Sequence, residues 1–170
     1  LRLVGSEMCI RDSIYAQCQL RAGLNCRYVV EFVCGKQGQK GAEMAYIVIV
    51  AMLALLQFVY FMVEVGRARG RCGIAAPATT GNEEFERYFR VQQNTLEQLV
   101  IFLPALVAAA MFGDAFVAAP IGLLFVVGRA LYARAYVRDP SSRTIGFALS
   151  LLANLALIGA ALWGAFQQAF

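Results

Sequence analysis

The sequence predicts an all-α integral membrane protein, one bundle of four helices occupying residues 44–170. Three observations carry this. Hydrophobic residues make up 60% of a chain of 170, too many for a small soluble domain to cover with a polar shell. They gather in four stretches, each about long enough to cross a roughly 30 Å hydrocarbon core as a helix rising about 1.5 Å per residue. Most of the charged residues fall at the ends of those stretches.

Residues 1–43 stand apart from the rest. They hold four of the five cysteines and both lysines, with no long apolar run, and "YVVEFVC" is too short and too acidic for the core of a secretory signal. The opening "VGSEMCIRDS" resembles a translated adapter. Lys40-Gly41-Ala42 can be encoded with a ribosome-binding sequence just ahead of Met44. The expectation is therefore a non-native or disordered extension over 1–43, with the protein proper at 44–170. The alternative is a genuine cysteine-bearing segment outside the membrane. The sequence has no histidine and no CxxC pair, so no metal site is expected.

The first apolar stretch runs from Ala45 to Val65 and the second from Leu96 to Phe112. Ahead of the second, "ATTGNEEFERYFR" has turn residues followed by Glu83, Glu84 and Glu86, acids that suit the positive end of a helix dipole. Begun at Glu83, that helix places Arg90, Asn94 and Glu97 at i, i+4 and i+7, on one face. The third stretch, Ala115 to Val127, runs on to Tyr136 through Arg129 and Arg134. There Arg129, Tyr132 and Tyr136 form a second stripe, with Arg143 just beyond the Asp139-Pro140-Ser141 turn. The fourth stretch is Ile145 to Phe166.

The arginines after Met44 cluster around the first and third connections, whereas the second connection and the C-terminal tail carry no basic residue. The positive-inside tendency puts loops one and three in the cytoplasm and both termini outside. The net charge of +4 reflects this loop bias, and no nucleic-acid partner is expected. The two polar stripes converge on the cytoplasmic end. Charges there must point to each other, to water or to a polar ligand, because facing lipid costs several kcal/mol. An anionic, hydrogen-bonding solute fits. Tyr132 and Tyr136 have a simpler use as interfacial aromatics, and Arg67 and Arg71 as topology markers; Glu64 is expected to pair with a nearby arginine.

The stretch "FERYFRVQQNTLEQ", with the pattern E-R-x-x-R-x-Q-x-N-x-x-E, and "RALYARAYVRDPSSR", with R-x-x-Y-x-x-x-Y and a later arginine, resemble the MAPEG family. These are the membrane-associated proteins of eicosanoid and glutathione metabolism. The resemblance runs ungapped from about Arg67 to Arg143, and residues 1–43 have no counterpart. It implies a homotrimer with glutathione bound between subunits near the cytoplasmic face. Arg90, Asn94, Glu97, Tyr132 and Tyr136 would hold the tripeptide, with Gln92 and Arg69 supplied by the adjacent subunit. Arg143 would be catalytic, favouring the thiolate that attacks a hydrophobic electrophile entering from the bilayer. The implied activity is a glutathione S-transferase or a glutathione-dependent peroxidase, in a membrane expected to be the bacterial inner membrane. Gly70 and Gln98 stand where leukotriene-forming members have an arginine and a tyrosine, which favours a general transferase or peroxidase. The alternative is a family member that binds lipid as a scaffold without catalysis.

Overall fold

The structure is a computed structural model describing residues 26–170. The chain divides into two compact units, Leu1–Glu43 and Met44–Phe170. Residues 1–25 of the expected extension lie outside the described residues, and Cys26 begins helix α1, Cys26–Cys72. The second unit holds everything that follows: the later part of α1, then α2 (Glu83–Phe112), α3 (Ala115–Arg138), a 3-10 turn (Pro140–Arg143) and α4 (Thr144–Ala169). Four spans are long and apolar enough to cross a membrane: Glu43–Cys72, Glu83–Phe112, Ala115–Arg138 and Pro140–Ala169. The protein is an integral membrane protein of all-α fold.

Each helix end has a local cause. Asn82 caps α2 by accepting from the backbone N–H groups of Glu84 (2.9 Å) and Phe85 (3.3 Å), and the first turn is acidic. The helix thus starts at Glu83, well before the apolar run at Leu96. Asp114 caps α3 through Phe116 N–H at 2.8 Å, which makes the second connection a tight corner. The first helix continues past the expected Val65 to Cys72, with Glu64 and Arg67 paired at 2.6 Å one turn apart. Glu64 therefore has the arginine partner expected of it.

The core contains Ile47, Val50 and Ala54 of α1, Leu99, Phe102 and Leu106 of α2, Phe125 of α3 and Leu157 of α4. Phe102 and Phe125 stack with ring centroids 4.0 Å apart. Outward-facing side chains such as Leu56, Val100, Leu152 and Trp163 are large, apolar and exposed, as hydrocarbon surroundings require. Small residues bring α3 and α4 together. A Cβ at Gly146 would meet the backbone nitrogen of Tyr132 and lie 2.6 Å from its Cα, while at Gly159 it would meet nothing within 4 Å. Gly146 thus sets the distance between α4 and the tyrosine helix.

Gly146→Ala should destabilise the bundle by about 1–3 kcal/mol, because backbone cannot move aside as a side chain can. Gly159→Ala, in open space on the same helix, should be neutral or mildly stabilising. Thermal midpoints in detergent distinguish the two, and equal midpoints would refute the close-packing argument.

Candidate functional site

Two hollows open at the ends of α2, α3 and α4 where the polar stripes meet. One, of about 320 Å³, is lined by Asn94, Glu97, Gln98, Arg129, Tyr132 and Arg143, together with Thr144 and Phe147. The other, of about 370 Å³, includes Arg90 and Tyr136 with Glu83, Glu86 and Arg87. Tyr132 and Tyr136 stand one in each, their ring centroids 5.5 Å apart. Of the eight residues that the family resemblance assigns to the site, six line these hollows: Arg90, Asn94, Glu97, Tyr132, Tyr136 and Arg143. Asn94 donates to the Tyr132 hydroxyl at 2.5 Å, joining the α2 stripe to the α3 stripe.

Arg143 ends the 3-10 turn and begins α4. The Asp139 carboxylate builds that turn, accepting from the Ser141 backbone N–H at 2.9 Å and from its hydroxyl. The Ser141 hydroxyl, with its N–H second, holds the Asp139 carboxyl below the usual carboxylate range, so the cap is ionised at neutral pH. The Arg143 guanidinium lies 5.6 Å from the centroid of the Tyr136 ring. Arg90, Glu97 and Arg143 are exposed on the single chain.

Gln92 and Arg69 line neither hollow. Gln92 is half-buried on α2. Arg69 fastens the first connection: its Nη1 donates to Ala78 O at 2.9 Å and Ala75 O at 3.4 Å, and its guanidinium lies 4.7 Å from the centroid of the buried Phe85 ring.

Arg129 also lines the first hollow, and buried Thr95 and Asn154 hold side chains of its wall. Arg129 is fully buried, donates from Nη2 to Thr95 Oγ1 at 2.6 Å and lies 4.2 Å from the centroid of the Tyr132 ring. Its Nε and Nη1 have no partner among the described residues. Arg129's register with Tyr132 signalled that it faces the site, but nothing in sequence identified Thr95 as its acceptor. Asn154, buried on α4, donates to Gln98 Oε1 at 2.8 Å and fixes that amide at the wall of the first hollow. It is a lone amide in an apolar run, and such a residue needs a partner across the bundle.

The MAPEG family model matches residues 46–163. The chain belongs to the MAPEG family. Its relatives include an uncharacterised protein of Synechocystis sp., 43% identical over 120 residues that span 71% of this chain and 88% of that one. Microsomal glutathione S-transferase 2 of Homo sapiens is 42% identical, over 65% of this chain and 77% of its own length. Leukotriene C4 synthase of Bos taurus is 35% identical, over 69% and 81%. The matched span contains every residue lining the two hollows.

Gln98→Leu should cost about 1–3 kcal/mol, because Asn154 is left buried without its acceptor. Adding Asn154→Leu should restore part of that loss, since an apolar pair leaves nothing unsatisfied. Denaturation of the two single variants and the double variant measures the coupling; strictly additive losses would show that the amides do not support each other.

Proposed function

We propose that the protein is a membrane-bound glutathione S-transferase or glutathione-dependent peroxidase that presents glutathione as a thiolate to a hydrophobic electrophile. The observation that carries this is the pair Arg90 and Arg143: each lines one of the two hollows, and neither has a hydrogen-bonded or ion-pair acceptor among the described residues. The relatives named for glutathione transfer and leukotriene C4 synthesis support the same chemistry.

The tripeptide's charges suit these residues. Two carboxylates call for guanidinium partners, which Arg90 and the unpartnered N–H groups of Arg129 offer, and the ammonium calls for a carboxylate such as Glu97. Asn94, Tyr132 and Tyr136 supply hydrogen bonds along the tripeptide's length. Arg143 then stands by the sulfur and lowers the thiol pKa. The thiolate attacks an electrophilic carbon, a C–S bond forms and a leaving anion departs. With a lipid hydroperoxide, the thiolate instead takes the terminal oxygen and the O–O bond breaks. The alkoxide takes up a proton, and a second glutathione forms the disulfide and releases water.

Exposure of Arg90, Glu97 and Arg143 on the single chain motivates the assembly. A homotrimer would cover this polar face between subunits, where lipid contact would otherwise cost several kcal/mol. Gln92 and the nitrogens of Arg69 not used in its loop contacts would then serve the adjacent subunit's site. Arginine placement supports an orientation with loops one and three cytoplasmic, and the compact loops suit a bacterial inner membrane. The hydrophobic second substrate would enter from the bilayer.

Arg143→Ala should lower turnover of an aromatic halide by on the order of tenfold or more, one pKa unit corresponding to tenfold in thiolate. It should leave much of the glutathione affinity in place. Arg90→Ala should weaken binding first. Calorimetric titration with glutathione and steady-state conjugation separate the two. Unchanged turnover in Arg143→Ala would end the catalytic assignment and favour a lipid-binding scaffold.

A further inference from the structure

The side chains of four of the nine arginines in Met44–Phe170 make no hydrogen bond or ion pair among the described residues: Arg90, Arg134, Arg138 and Arg143. Arg90 and Arg143 line the hollows already described. Arg134 and Arg138 line a third cavity, of about 370 Å³, open on one side and walled by residues of α1, α2 and α3. Spaced at i, i+4 near the end of α3, they share one face of that helix.

The cavity is two-natured. Phe61, Val91 and Ala133, all buried, give it an apolar wall. Glu64 also lines it, but that carboxylate holds Arg67 at 2.6 Å and its charge is already matched. Two guanidiniums therefore remain uncompensated above an apolar wall, at the basic end of a membrane bundle.

We infer that this cavity binds an anionic phospholipid, with Arg134 and Arg138 on the phosphodiester and one acyl chain along the Phe61–Val91–Ala133 wall. Guanidinium pairs match the geometry of phosphate oxygens, and basic pockets between membrane helices on the cytoplasmic side are suited to such headgroups. Free phosphate would satisfy the arginines but leave the apolar wall against water. A zwitterionic headgroup would bring its own cation toward a site that already has excess positive charge. The site lies behind Tyr132, which packs in the same buried cluster as the apolar wall. It requires no glutathione chemistry.

The test uses the full chain in detergent micelles doped with equal amounts of phosphatidylglycerol and phosphatidylcholine of the same acyl chains, bound lipid being counted by mass spectrometry. The parent should retain phosphatidylglycerol in excess, and Arg134→Gln/Arg138→Gln should reduce that preference by roughly thirtyfold, the factor expected for two basic residues at an anionic surface. Ala130→Phe, which fills the cavity and leaves both arginines, should weaken retention of phosphatidylglycerol. Arg71→Ala, a charge on the same side but outside the cavity, should not alter the preference. Equal retention of the two lipids by the parent, an equal loss in Arg71→Ala, or release of phosphatidylglycerol by millimolar inorganic phosphate would each overturn the assignment.

Discussion

A guanidinium cannot be left bare in hydrocarbon, and Arg129 is the point at which this constraint shapes the bundle. It is wholly shielded within a four-helix membrane unit, held by Thr95 at 2.6 Å on α2 and lying 4.2 Å from the centroid of the Tyr132 ring on its own helix. Tyr132 in turn accepts from Asn94, and its backbone is the surface against which Gly146 brings α4. One buried charge thus orders three helices around the polar hollow. Two of its nitrogens, Nε and Nη1, still lack partners among the described residues, an arrangement costing about 1–3 kcal/mol for each unpaired group unless a ligand supplies acceptors. The proposed ligand site and the packing site are therefore the same place.

The arginines of the second unit divide by what they touch. Arg67, Arg71 and Arg87 are paired with acids near the helix ends, and Arg69 is engaged by loop carbonyls. Arg90 and Arg143, without such partners, lie where the stripes converge; Arg134 and Arg138 face the cavity on the other side of the Tyr132 cluster. Surface ion pairs of the first kind contribute little to stability. The unpaired cations are the ones with capacity left for anions, and they occur in two sets.

Much of this was legible in the sequence because membrane helices separate their signals cleanly. Four apolar stretches gave the four spans, and "GNEEFERYFR" placed the start of α2 at Glu83, where Asn82 caps it. The i, i+4, i+7 stripe brought Asn94 and Glu97 to one hollow with Arg90 in the other, and the stripe on α3 brought in both tyrosines. Contacts between sequence-distant partners were not legible. Nothing local in Leu96–Phe112 ties Gln98 to Asn154 on another helix, and the Thr95 hydroxyl looks like any small polar residue beside Asn94. The arginines near the first connection show the opposite difficulty: their clustering signals topology, yet only geometry separates the loop strut Arg69 from the acid-paired Arg67 and Arg71.

The central claim is that the converging stripes form a site that holds glutathione with its sulfur beside a guanidinium. Its most direct measurement is a pH titration of thiolate absorbance for glutathione bound to the parent protein. The account predicts saturable binding and an apparent thiol pKa at least about one unit below the ordinary thiol value of roughly 8.5. Saturable binding with an unshifted thiol pKa, or no binding, would contradict it.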